Sequence, residues 1–360
     1  MAAHLSTFVL NKADTGRQKD YDILASSPGT PSSPQLTDLA CVNERTLPDL
    51  KSLIAPLENN IASVVLGKRD VARKCLVALL AGEHVLLEDV PGVGKTLMGK
   101  ALARSVNGEF RRLQFTPDLL PGDITGSSVF NNTTREFEFH AGPIFGNFVL
   151  ADEINRAPPR TQSALLEPMS EGHVTVDGVS HPLPGPFMVI ATQNPFEFEG
   201  TYLLPESQLD RFLIRVSMGY PDPEFEQEII SSHRIGEPVE SLPAVVDCDQ
   251  IRQLQAAVRA VNIDDTISKY MLDVVRVTRQ TSELVVGVST RGVLLWSRAT
   301  QALAVLNGRD YAVPDDAKNL AVPVLAHRVM TEGSAQGTDR EKTESIIGRI
   351  LDSVPFDQAR

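Results

Sequence analysis

Cysteine is scarce in this chain: three residues in 360, at Cys41, Cys75 and Cys248. They are far apart and odd in number, which excludes a disulfide framework and a cysteine-ligated metal site and favours a reducing compartment. Long apolar runs are missing too. No stretch reaches the ~18 residues that a membrane-spanning helix needs, and the apolar segment 75–87 is broken by Gly82-Glu83-His84. Residues 1–10 lack a basic n-region, a long apolar h-region and a small-residue cleavage site, so the expected location is the cytoplasm. Positive charge is in deficit, with 34 Lys and Arg against 46 Asp and Glu and a net charge of -12. A surface of that sign does not wrap nucleic acid over a wide area, although a local basic pore is compatible with it. Aromatics make up 6 % of the residues and do not interleave with basic ones, as stacking on single strands requires. No nucleic-acid partner and no membrane span are therefore expected.

What is present divides the chain into three parts. Residues 1–45 contain Ser26-Ser27-Pro28-Gly29-Thr30-Pro31-Ser32-Ser33-Pro34, a turn-rich stretch that cannot bury a core, so a disordered arm is expected there. From 46 to 221 helical and strand patterns alternate. Amphipathic helices are expected over 47–65 and 69–81, the second ending at Gly82. A strand follows at 84–88, then a glycine loop and a helix over 95–106. Further strands are expected at 110–115, 148–152, 187–192 and 212–218. Short strands that are apolar on both faces and separated by helices indicate a parallel sheet covered on both sides. Two hairpins interrupt the alternation, one around 127–139 and one at 174–180, where Asp177-Gly178 is a strong turn signal. From 222 to 360 strand signals fade. Helices are expected over 224–235, 249–261, 266–281, 291–307, 314–328 and 341–353, with Asp249, Asp264 and Asp315 as capping candidates. The fold class is α/β with a second, all-α domain.

Chemistry concentrates at the ends of the apolar strands. Pro91-Gly92-Val93-Gly94-Lys95-Thr96-Leu97 lies between a strand and a helix. Small residues there let backbone N–H groups turn inward around phosphates, and the helix N-terminus adds positive potential. Lys95 would reach the β- and γ-phosphates and Thr96 would ligate Mg²⁺. The eight-residue phosphate-loop pattern begins with glycine, and here that position is Asp89. Asp152 and Glu153 follow the run Phe148-Val149-Leu150-Ala151. At the carboxyl end of a parallel strand they point into the crevice where ligands bind, Asp152 as a Mg²⁺ ligand and Glu153 polarising the attacking water. Asn194 ends another apolar strand, which can lie between the other two. Its amide either orients water near a γ-phosphate or serves a turn before Pro195. Arg211, just before a strand, and Arg291, at a helix start after Ser289-Thr290, can each meet a γ-phosphate or form a surface salt bridge.

These segments resemble the MoxR-type AAA+ ATPases. The resemblance rests on Leu86-Leu87-Glu88-Asp89-Val90-Pro91-Gly92-Val93-Gly94-Lys95-Thr96 and on Leu150-Ala151-Asp152-Glu153-Ile154-Asn155-Arg156-Ala157-Pro158-Pro159. Ile190-Ala191-Thr192-Gln193-Asn194-Pro195 and Leu204-Pro205-Glu206-Ser207-Gln208-Leu209-Asp210-Arg211-Phe212 match as well, over about 50–355. Asp89 fits that family's own loop. The resemblance implies an ATP-binding core plus a helical lid, with Walker A at Lys95-Thr96, Walker B at Asp152-Glu153 and sensor 1 at Asn194. It makes Arg211 an arginine finger for a neighbouring subunit and Arg291 a sensor 2 on the lid, although Val288-Ser289-Thr290-Arg291-Gly292 departs from the usual Ser-Pro-Arg-Ala. Val65-Leu66-Gly67 and Tyr220-Pro221 would flank the adenine. A finger supplied in trans implies a head-to-tail ring, usually a hexamer in this family. The output implied is chaperone-like remodelling of protein clients, often with a partner bearing a von Willebrand factor A domain. The alternatives are a magnesium-chelatase-like motor subunit and a nucleic-acid motor.

Overall fold

The computed structural model describes residues 50–195, 200–232, 234, 236–332 and 340–356. The proposed arm, 1–45, lies outside them. Five parallel strands form the central sheet in the order β2-β5-β8-β1-β9. They are β1 (His84–Glu88), β2 (Phe110–Gln114), β5 (Phe148–Asp152), β8 (Met188–Gln193) and β9 (Phe212–Val216). The strand ending at Asn194 does lie between the strand of the acidic pair and the strand of the glycine loop, since β8 pairs with both β5 and β1.

Every residue of β1 and β5 is buried, which is why their sequences read as continuous apolar runs. The expectation that all the strands are apolar on both faces fails at β2. This strand, Phe-Arg-Arg-Leu-Gln, buries only Leu113 and forms an edge. An edge strand keeps one side open to solvent, so it can carry Arg111 and Arg112.

Helices cover the sheet. Helix α1 (Ile54–Ala62) stops short of the expected end at 65, and residues 47–49 lie outside the described set. Helix α2 (Arg69–Ala81) ends at Gly82, in the left-handed conformation that closes a helix. Helix α3 (Lys95–Ser105) opens directly from the glycine loop and buries Met98, Ala101, Leu102 and Ser105, the 3–4 spacing of one helical face.

The two hairpins are β3 (Gly126–Asn131) with β4 (Glu136–Ala141), and β6 (His173–Val176) with β7 (Val179–Pro182). Asp177 and Gly178 both have positive φ, 51° and 79°, as the two-residue turn between β6 and β7 requires. The hairpins meet where Phe139 stacks on His181, with ring centroids 3.9 Å apart.

After β9 the described elements are helical. They include α4 (Pro223–Ser232), α5 (Cys248–Arg259), α6 (Asp265–Gln280), α7 (Thr290–Leu306), α8 (Pro314–Leu325) and α9 (Arg340–Ser353). Among the described residues no helix is long and apolar enough to cross a membrane. Of the expected caps only Asp264 acts as one, accepting from Thr266 N–H at 2.8 Å. Asp247, not Asp249, caps α5 in a reciprocal box with Gln250. At α8 Asp316 rather than Asp315 accepts the Val313 N–H, at 2.9 Å. Trp296 on α7 is fully buried and donates its indole N–H to the Ala317 carbonyl at 2.8 Å. Trp296→Ala should therefore cost about 3–5 kcal/mol of stability in chemical denaturation, through the cavity it leaves.

Candidate active site

In a parallel sheet all carboxyl ends share one edge, so residues distant in sequence meet there. Register places Glu88 beside Gln193, Ala151 beside Ala191 and Gln114 beside Asp152. The glycine loop, Asp152-Glu153 and Asn194 therefore follow neighbouring strand ends. Together with Val65, Tyr220 and Pro221 they line one cavity of about 760 Å³, within the usual size of a small-molecule site.

The loop supplies the mouth of α3. Gly94 sits just before Lys95 with φ 95°, and Gly92 has φ 85°, a region that residues with a side chain rarely adopt. Pro91, Val93, Thr96 and Leu97 line the cavity with them. Lys95 Nζ donates to the Asp89 carbonyl at 2.7 Å. Burial lowers the lysine pKa, opposed by Asp152, Asp89 and Glu153. Lys68, Lys100 and Arg112 also line the cavity, so a polyanion would meet several cations there.

One hydroxyl sets both acids. Thr192, fully buried on β8, donates to Asp152 Oδ1 at 2.6 Å and accepts the Glu153 backbone N–H at 2.9 Å. Arg112 from β2 holds the other oxygen, with Nη2 at 2.6 Å and Nε at 3.1 Å from Asp152 Oδ2. Glu153 has left-handed backbone, φ 56° and ψ 49°, a strained conformation for a residue with a side chain. It turns the chain away from the strand and aims the carboxylate sideways. There Glu153 Oε2 accepts from Gln114 Nε2 at 2.8 Å and from Arg156 Nη1 at 3.1 Å. Thr192, Arg112 and Gln114 are partners of the two acids that sequence reasoning missed. Their signal is faint: a polar side chain near the carboxyl end of a strand.

Thr96 and Asp152 offer two hard oxygen donors in the same cavity. That set suits Mg²⁺, which takes one or two protein ligands and completes its shell with phosphate oxygens and water.

Three expected residues lie elsewhere. Gly67 lies between Leu66 and Lys68 of the cavity wall without lining it; a Cβ there would sit 2.6 Å from the Phe225 ring, so the glycine lets α4, which lines the cavity through Glu226, Ile229 and Ile230, pack close. Arg211 precedes β9, whose first residue, Phe212, pairs with His84 at the start of β1. The glycine loop follows the other end of β1, so a strand of five residues, roughly 16 Å, separates them. Arg211 Nη1 donates to the Leu166 carbonyl at 3.1 Å, and among the described residues its buried Nε has no hydrogen-bond partner. Burial, then the charge of Arg291, lowers its pKa. Arg291 stands at that same amino edge, 3.8 Å from Asp210. Arg328, buried in the helical part, clamps the segment, with Nε 3.0 Å from Asp210 Oδ1 and Nη1 3.3 Å from the Leu213 carbonyl.

Comparison with known proteins agrees with this division. Residues 84–214 match the model of the ATPase family associated with various cellular activities (AAA), and residues 276–350 match the AAA lid domain. The chain is 50 % identical over 306 residues to the uncharacterized Bacillus subtilis protein YeaC, covering 85 % of this chain and 95 % of that protein. It is 41 % identical over 307 residues to Chaperone MoxR1 of Mycobacterium tuberculosis, covering 83 % of this chain and 81 % of that one. A solved structure of a proposed ATPase from Cytophaga hutchinsonii superimposes with a TM-score of 0.79 at 36 % identity, covering 87 % of this chain and 97 % of that one.

Proposed function

Because this chain belongs to the MoxR family of AAA+ ATPases, we propose that it binds ATP with Mg²⁺ and hydrolyses it at a site shared by two copies, driving the remodelling of protein clients. The observation that carries this reading is the split of charged residues between the two ends of the sheet. Loop, acids and amide stand at the carboxyl end, and Arg211 and Arg291 at the amino end. Among the described residues neither arginine lines the cavity of its own copy, which favours a site that the arginines of the next copy complete.

In this reading Val65, Tyr220 and Pro221 take the base, and the backbone around Gly92 and Gly94 takes the phosphates. Lys95 leaves the Asp89 carbonyl for the β- and γ-phosphates. Thr96 and Asp152 would hold Mg²⁺, which when bound offsets the negative charge of the phosphate oxygens. Glu153 polarises the attacking water once Gln114 and Arg156 release it, and Asn194 orients that water. Arg211 from the neighbour stabilises the charge on the transferred phosphoryl group, with Arg291 beside it. Arg211 thus acts as the finger, and Arg291 as a sensor supplied with it in trans rather than over its own cavity.

Surfaces that act head to tail on identical copies close into a ring, and a hexamer is the expected form. We place the core at 46–221, the lid at 222–360 and an arm at 1–45. The lid holds the finger segment through Arg328 and Asp210, which favours coupling between lid rotation and finger position. The β3–β4 hairpin exposes Phe130 and Phe137, 47 % and 73 % accessible, to a client. A relative that carries the name chaperone favours protein remodelling. A partner with a von Willebrand factor A domain and a cytoplasmic setting complete the proposal. The test is ATP turnover per subunit over a dilution series. Turnover should rise with protein concentration as copies meet, and Lys95→Ala should abolish it. Turnover that stays constant down to monomeric concentrations would overturn the shared site.

A further inference from the structure

The phosphate loop and the wall proposed to take the base follow different strands, β1 and β9, and one side chain joins them. Asp89 occupies the first loop position, where the general pattern has glycine, and is 8 % exposed. Its Oδ2 accepts from the Ser217 hydroxyl at 2.7 Å and from the Gly219 N–H at 2.6 Å. Its Oδ1 accepts from the Val90 N–H at 2.9 Å. The main chain of Asp89 reaches two further parts of the site. Its N–H donates to the Gln193 carbonyl at 3.0 Å, next to Asn194, and its carbonyl holds Lys95 Nζ at 2.7 Å. A glycine here would keep the main-chain bonds and lose all those of the carboxylate. Beyond Gly219 come Tyr220 and Pro221 on the cavity wall, and Lys68 donates to the Tyr220 carbonyl at 2.7 Å from the other side. Burial works against the charge on Asp89, yet the bonds from Ser217, Gly219 and Val90 hold its pKa below the usual carboxylate range.

We propose that Asp89 is a positioning residue that fixes the base wall, Gly219 to Pro221, against the phosphate loop, so that both halves of the nucleotide bind as one ligand. This rests on the nucleotide reading above. A charged acceptor bonded to buried donors is stiffer and stronger than a neutral contact. Without it the loop keeps its grip on phosphates while the wall shifts freely. The base then adds less to binding.

The experiment is calorimetric titration of the full chain with ADP and, separately, with tripolyphosphate, both with Mg²⁺. Asp89→Gly, which restores the general loop pattern, should weaken ADP about ten-fold. Asp89→Asn, keeping one acceptor oxygen, should weaken it less. Ser217→Ala removes one bond from the wall side and should also weaken ADP. In all three, affinity for tripolyphosphate should stay within about two-fold of the unaltered chain, because the N–H groups from Gly92 to Thr96 keep their surroundings and, in the Asp89 variants, the loop's Val90 N–H alone loses a partner. Unchanged ADP affinity in Asp89→Gly overturns the inference, as does a parallel loss of tripolyphosphate, which would confine the carboxylate's role to the loop. Should the Asp89 variants fail to fold, Ser217→Ala decides alone, and unchanged ADP affinity there overturns it. Failure of the unaltered chain to bind ADP removes the nucleotide reading and this inference with it. Tight binding by the unaltered chain with no change in the variants removes this inference alone.

Discussion

Glu153→Gln should keep ATP bound and nearly stop its hydrolysis, lowering turnover about 10²–10⁴-fold, the range contributed by a positioned general base. The amide has the shape of the carboxylate, so the backbone at φ 56° and its bond to the Thr192 hydroxyl should survive. Contacts with Gln114 and Arg156 can persist through the amide oxygen. What disappears is the negative oxygen proposed to polarise water. The proposal assigns binding to the glycine loop and Lys95, which the substitution does not touch, so the dissociation constant for ATP should change by less than about three-fold. Stopped turnover with intact binding identifies Glu153 with the chemical step. Turnover close to that of the unaltered chain would remove it from that step.

Arg211→Ala should be nearly as damaging to turnover, by about 10³-fold or more, the size associated with an arginine finger. It too should spare nucleotide binding, for a different reason: Arg211 is a full strand length from the cavity of its own copy. Folding should survive, because the Asp210 segment is held chiefly by Arg328 rather than by Arg211. Arg211→Lys should recover little, since a point charge does not reproduce the planar fork of a guanidinium. Fluorescent-nucleotide binding and steady-state turnover on the same preparations separate the two effects. A weakened affinity in the isolated subunit would mean that Arg211 reaches its own site.

The parts of the site that were legible in the sequence are those whose signal is local. Asp152-Glu153 ends a fully buried strand, and an apolar run stopped by two acids marks a strand edge without reference to any partner. Lys95-Thr96 opens a helix after a glycine pair, again a local pattern. The order of strands was partly legible: β8 lies between β5 and β1, which gives Asn194 its place. The groups that hold the acids were not legible, because their partners arrive from other strands about forty residues away. Arg112 and Gln114 come from β2 and Thr192 from β8. Periodicity reports which face a residue takes, not which strand lies beside it. Two of the three expected caps failed for a narrower reason. Near each helix start more than one acid was available, and only φ and ψ at the cap decide between Asp247 and Asp249. Gly67 read as part of a binding wall, but the Phe225 ring explains its lack of a side chain. Asp89 read as a departure from a pattern, and its partners on the β9 side turn that departure into a strut.

The proposed sharing of the site between copies is tested most directly by mixing two variants, each expected to be inactive alone. Glu153→Gln carries an intact Arg211, and Arg211→Ala carries an intact Glu153. In a mixed ring some contacts pair a complete cavity with a complete finger. At equal random mixing that is roughly a quarter of them, because each head-to-tail contact draws its two sides from different copies. ATP turnover should rise on mixing toward about a quarter of that of the unaltered ring. Turnover that stays at the sum of the two separate preparations, with mixed assembly verified, would contradict a site built from two copies.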